Sequence, residues 1–162
     1  MRIVFLLFLV CLGIGSCTNR SQQILGSWCS VEHYEQDSTK YPYVNYLDGI
    51  TVYEFQKDNT FKERHYIEAF SKGQIVRTHD QLRYTGSWHL SGDTLVIHKT
   101  LKELRPYYGD MDTTEVDESE IYFIQSLTRD SLIAKMRFYG SYLDVRLEHV
   151  KDKKRGTFLY PL

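Results

Sequence analysis

The chain has 162 residues, 42% hydrophobic and 14% aromatic, with 20 basic and 21 acidic side chains and a net charge of −1. That balance leaves no basic footprint for nucleic acid, and the length suits one domain with a real core rather than two. No linker or low-complexity stretch divides it.

The chain opens with Arg2, a largely apolar run from Ile3 to Ile14, then small residues and Cys17. This is the order of an export signal: a positive start, an apolar core and a small-residue cleavage site. The core is too short to cross a bilayer, which takes about 20 apolar residues. Polar residues follow at once, from Thr18 to Gln23. Ile14-Gly15-Ser16-Cys17 resembles the lipobox of bacterial lipoproteins. The resemblance implies a signal peptide over 1–16, lipid attached to Cys17, and a place in the bacterial cell envelope, anchored in a membrane and expected in the outer membrane. The competing reading is an ordinary secretory signal with a chance cysteine.

Removal of 1–16 leaves 146 residues carrying 19 basic and 21 acidic side chains. Cys11 departs with the signal and Cys17 is lipidated, so no internal disulfide forms in the mature chain. Cys29 then reads as a small apolar strand residue rather than a reactive thiol. A short tether is expected over 17–24, a single domain over 25–150 and a tail over 151–162.

Along that domain β-branched and aromatic residues recur in alternating runs, with no sustained 3.6-residue period. Eight strands are predicted, near 25–35, 50–56, 60–70, 74–90, 94–103, 117–127, 131–138 and 142–150. Short Asp-bearing turns at 57–59, 91–93 and 128–130 fall at one end of such a sheet, because successive connections of an up-and-down sheet alternate between its ends. The long segments 36–49 and 104–116 fall at the other, with tight turns at 71–73 and 140–141. One closed end and one open, tyrosine-rimmed end is the layout of a small ligand-holding antiparallel β-barrel.

Gly26-Ser27-Trp28 opens the first strand, Phe55 precedes Asp58-Asn59-Thr60-Phe61, and Gly86-Ser87-Trp88 is followed by Ser91-Gly92-Asp93-Thr94-Leu95. In this order the motifs resemble the lipocalin-like lipoproteins of Gram-negative bacteria, over nearly the whole mature chain. The resemblance implies an all-β, eight-stranded up-and-down barrel with Trp28 and Trp88 plugging its closed end. It does not imply a ligand, since such barrels host carriers, binders, inhibitors and a few enzymes.

Register propagated from the tight turns gives the expected lining, because hairpin partners share a face. A two-residue turn at Lys72-Gly73 sets His65 opposite Asp80 and Glu63 opposite Leu82. The Gly92-Asp93 turn carries Lys99 and Glu103 inward, and Arg129-Asp130 sets Phe123 against Met136. The interior ligand-binding candidates are therefore Glu63, His65, Asp80, Lys99, Glu103, Phe123 and Met136. One wall is polar and the other apolar, suiting a small amphipathic ligand with a polar or charged head; the alternative is a self-satisfied network inside a filled barrel.

Tyr41, Tyr43, Tyr46, Tyr107 and Tyr108 are the rim candidates, joined by Tyr139 and Tyr142. Tyrosine combines apolar area with a polar tip, which serves a ligand and a protein partner equally. His89 and His98 flank one turn without a third ligand nearby, and Asp110 to Glu120 lacks the glycine an EF-hand loop requires, so neither is read as a metal site. No G-x-S-x-G, H-E-x-x-H, P-loop or cysteine pair is present. No catalytic residue and no cofactor is assigned. Two functions remain: a small-ligand binder, or an envelope protein-interaction or assembly module with a filled barrel. Cys17 lies just before the first strand, so the tether is expected at the closed end, with the mouth directed away from the membrane.

Overall fold

The computed structural model describes residues 20–35, 46–72, 74–106 and 109–150, with the side chains of 33–35, 46, 47 and 75–78 outside the description. The expected signal peptide, Cys17, the tail, and the rim residues Tyr41, Tyr43, Tyr107 and Tyr108 lie outside the described residues, as does the side chain of Tyr46.

A one-turn helix, α1 (Arg20–Gln23), leads into β1 (Gly26–Glu35), β2 (Tyr46–Phe55), β3 (Thr60–Ser71), β4 (Gln74–Ser91), β5 (Thr94–Leu104), β6 (Asp112–Leu127), β7 (Ser131–Phe138) and β8 (Ser141–His149). The strands close in sequence order into an antiparallel up-and-down barrel, as the alternation and the turn spacing predict. Two strands begin earlier than expected. Tyr46-Leu47-Asp48-Gly49 and Asp112 to Val116 carry loop-forming or acidic residues, yet both stretches are paired strand. Tertiary pairing overrides local propensity there.

The closed end is solid. Trp28 is 0% exposed, and around it pack Ile24, Phe55, Phe61, Trp88, Leu95, Ile97, Ile124, Leu132, Ala134 and Leu147. α1 delivers Ile24 beneath Trp28, whose indole N–H donates to the Ile24 carbonyl at 2.7 Å. Ile24, at the end of the stretch expected as tether, therefore belongs to the packed core. Trp88 sits edge-on to Phe55, ring centroids 5.5 Å apart, and its indole N–H donates to the Gln56 carbonyl at 3.1 Å. Each indole thus buries its apolar area and satisfies its one donor.

The glycines of the two Gly-Ser-Trp motifs share a physical reason. A Cβ at Gly86 would lie 1.9 Å from the His98 carbonyl oxygen, and one at Gly26, where φ is +119°, would lie 2.7 Å from the His149 ring. Only glycine allows either approach. The turn beneath them is fixed by Asp58, whose Oδ1 accepts from the Thr60 amide at 3.0 Å and its hydroxyl at 2.7 Å, with Asn59 at φ 63°. Ion pairing of Arg20 with Asp93 ties α1 to the next turn.

Cys29 is buried in β1 on the outer face with Ile50 and Val52, and Val150 packs against them. The seam of the barrel is uneven. Neighbouring strands pair over long registers, but β1 and β8 pair only at Trp28↔His149 and Cys29↔Glu148. Above that level the seam is not zipped.

Candidate functional site

Above the packed floor lies a cavity of about 840 Å³, within the usual range of small-molecule sites. Its lining includes Thr51 and Tyr53 from β2, Glu63 and His65 from β3, Glu120 and Tyr122 from β6, Met136 from β7, and Leu143 and Val145 from β8. Ser30, Val31 and Glu32 of β1 and Asp144 and Arg146 of β8 also line it, so the cavity reaches the unzipped seam.

Its polar side is one connected chain. His65 Nδ1 is 3.1 Å from the Thr51 hydroxyl and Nε2 is 2.6 Å from Glu63 Oε1. Lys99 lies 2.7 Å from Glu63 Oε2, donates to Glu120 Oε1 at 2.6 Å, and sits 4.3 Å from the centroid of the Tyr84 ring. Tyr122 donates its hydroxyl to Glu120 Oε2 at 2.7 Å. Desolvation works against the Glu63 carboxylate, but His65 and Lys99 outweigh it and hold its pKa below the ordinary range. Burial likewise opposes the charge on Lys99, and Glu63 with Glu120 more than compensates, raising its pKa. Burial, then Glu63 and Glu120, pushes Tyr53 above the ordinary tyrosine range; burial, then Tyr53 and Glu120, does the same for Tyr122. Both phenols stay neutral hydrogen-bonding groups.

The Thr51 hydroxyl, the His65 imidazole and the Glu63 carboxylate stand in one hydrogen-bonded line, while Lys99, Glu120 and Tyr122 hold charge beside it. Lys99 is fixed as an ammonium, and both nitrogens of His65 are engaged. Among the described residues no group of three or more His, Cys, Asp or Glu is placed to hold a metal ion.

Of the interior candidates, Glu63, His65, Lys99 and Met136 come together at the cavity or its floor. Asp80, Glu103 and Phe123 do not, and each departure has the same cause. A β-bulge sets two residues of one strand against one of the next and so exchanges inner and outer faces beyond it. The turn after β3 has the expected register, Ser71↔Gln74, but two shifts in the β3–β4 pairing bring Tyr66 opposite Asp80 and His65 opposite Leu82. Asp80 thus lies on the outer face, ion-paired to Arg83. Thr100 is the extra residue where Gly86 pairs with Lys99 and Thr85 with Leu101. Beyond it Glu103 faces out, 3.9 Å from Arg83.

The third shift, at Gln125, pairs Tyr122 rather than Phe123 with Met136. Phe123 is therefore exposed on the outside, edge-on to Tyr142 at 5.8 Å. Glu120, Tyr122 and Ile124 replace Ile121 and Phe123 on the inner face. Sequence reasoning missed Tyr53, Glu120 and Tyr122. Glu120-Ile121-Tyr122-Phe123-Ile124 alternates on either face, and the more apolar face is the wrong choice. The expected rim residues Tyr139 and Tyr142 are strongly exposed, Tyr139 at 94%.

The chain matches no known family model, and no curated protein is significantly similar to it.

Proposed function

We propose that the protein is a lipocalin-like lipoprotein of the bacterial envelope whose barrel binds one small amphipathic ligand in its open half. The cavity carries this reading, through its size and its division into a polar side on β2, β3 and β6 and an apolar side at Met136, Leu143 and Val145. The polar groups satisfy one another without filling the space above them. A self-paired network therefore does not by itself fill the barrel, which supports the ligand reading over a filled interior.

The lipid anchor and envelope location rest on the leader: a short apolar core ending in Ile14-Gly15-Ser16-Cys17. The fold supplies a compatible geometry, since α1 lies under the closed end and leaves the cavity at the far one. Substituting Cys17→Ser in the full chain expressed in a Gram-negative host moves the protein from the membrane to the soluble fraction; retention in the membrane contradicts the anchor. Native mass spectrometry of the domain purified without detergent shows a bound species of a few hundred daltons that is lost on filling the cavity with Met136→Trp. A bare mass for both proteins, with no binding from a lipid and metabolite extract, contradicts the ligand.

A second reading draws on exposed aromatic surface, with Phe123 of β6 against Tyr142 of β8 and Phe138 of β7 against Tyr139 in the connection to β8. Such a surface suits a protein partner. Recovery of one stoichiometric envelope protein by the wild type but not by Phe123→Ser/Tyr142→Ser supports it; equal recovery by both removes it.

A further inference from the structure

We infer that the cavity takes a positively charged head group, an ammonium or amine carrying an apolar tail. This rests on the ligand-binding reading and gives the sign of the ligand's charge.

The first observation is the charge at the polar side. Two carboxylates, Glu63 and Glu120, face the single ammonium of Lys99, and only Glu63 has His65 against it as well. At the exposed margin Asp144 lies 4.0 Å from Lys135 and Arg146 3.7 Å from Glu148, so water screens these charges and the buried side sets the sign. An anionic head at that side meets the Glu63 and Glu120 carboxylates where screening is weaker.

The second observation is how Lys99 is committed. It is 3% exposed, and its ammonium is occupied by Glu63, Glu120 and the face of Tyr84. An ammonium has three donors, so a ligand carboxylate finds none there without displacing a buried carboxylate. A fatty acid therefore finds no free ammonium on the polar side.

The third observation is what remains open. Of the ionisable side chains that the polar chain brings to the cavity, Glu120 and His65 are the open ones, 28% and 32% exposed, whereas Glu63 is at 3%. Each oxygen of Glu120 already accepts one hydrogen bond, from Lys99 or Tyr122. A carboxylate oxygen has a second lone pair. An incoming ammonium thus gains a charge-assisted bond to Glu120 without dismantling the network, beside rings whose faces attract cations, as Tyr84 already attracts Lys99. The tail then lies along Met136, Val145 and Leu143, of which Val145 and Leu143 are on β8 beside the unzipped seam. A tail longer than the cavity has an exit there.

The test compares three probes of equal chain length, decylamine, decanol and decanoate, by titration calorimetry on the purified mature domain at neutral pH, each below its micelle-forming concentration. Decylamine is expected to bind at least tenfold more tightly than decanoate, with decanol between them. Glu120→Gln, nearly identical in shape, narrows the amine–carboxylate difference at least fivefold and leaves decanol unchanged. Decanoate binding as tightly as decylamine, or Glu120→Gln leaving the difference intact, overturns the inference while the ligand-binding reading stands. Failure of all three probes counts against that reading itself. The wild-type comparison decides the question even if the variant does not fold.

Discussion

The two halves of the barrel solve opposite problems with the same eight strands. Below, Ile24, Trp28, Phe55, Phe61 and Trp88 pack into one buried cluster, with each indole donor spent on a backbone carbonyl. Above, Thr51, His65, Glu63, Lys99, Glu120 and Tyr122 use their polar groups on one another and leave a space of about 840 Å³. The buried cluster lies where β1 and β8 pair and the wall is closed. The cavity lies where β1 and β8 part. Because the polar chain sits at the boundary, it is the roof of the packed half as well as the floor of the cavity.

If that division is right, the largest effect comes from the lower half. Trp28→Ala removes a fully buried indole and costs about 3–5 kcal/mol, read as a drop in the urea midpoint. A loss near that of a surface substitution breaks the comparison.

At the boundary, Lys99→Met strands two carboxylates and costs about 3 kcal/mol, while the triple variant Glu63→Gln/Lys99→Met/Glu120→Gln recovers most of it. Failure of the triple variant to recover shows that the network also holds the wall in register. The same boundary sets the pH dependence. The folded pKa of Glu63 is depressed, so its contribution is fully present above the ordinary value of 4.5 and is lost as the pH falls through the lower folded value. That of Lys99 is raised, so its contribution is fully present below 10.5 and is lost as the pH rises through the higher folded value. These two contributions are therefore level between the bounds and lost outside them, and Glu63→Gln flattens the acid limb of the melting midpoint. An acid limb unchanged in that variant places its cause elsewhere.

The smallest effect lies on the outer face. Glu68 is buried beside Asp48 with its Oε2 unpartnered, and desolvation followed by the Asp48 charge raises its pKa. A raised carboxyl pKa weakens the fold at neutral pH and ceases to do so as the pH falls below the ordinary range. Glu68→Gln should then stabilise by roughly 1 kcal/mol at neutral pH and have no effect in acid. A destabilised variant contradicts this.

What was legible in the sequence follows the same axis. Closed-end features are local: Gly-Ser-Trp, the Asp-Asn-Thr turn and the Gly-Asp turn each specify a conformation within a few residues, and Trp28 and Trp88 sit where those turns place them. Glu63 and His65 were also readable, because both extra residues of the β3–β4 pairing lie on β4 and leave the alternation along β3 intact; Lys99 was, because no bulge separates it from the Gly92-Asp93 turn. Asp80, Glu103 and Phe123 lie beyond extra residues near Gln81, at Thr100 and at Gln125. Alternation does not announce a bulge. Gly86, pressed against the His98 carbonyl beside the Thr100 shift, was the one local sign of an irregularity. Glu120 escaped notice because it ends an acidic run that reads as a solvated edge.

The most direct test of a solid lower half beneath a hollow upper one is to insert the same bulk in each. Met136 lines the cavity, whereas Ala134, two residues along β7 on the same inner face, is fully buried in the packed cluster. Thermal unfolding of Met136→Trp and Ala134→Trp should differ sharply. Met136→Trp melts within a few degrees of the wild type, because the indole enters existing space. Ala134→Trp loses about 3 kcal/mol or does not fold, as overpacking a filled site requires. Equal destabilisation of the two would mean that the upper half is as full as the lower, and that the barrel has no cavity to offer.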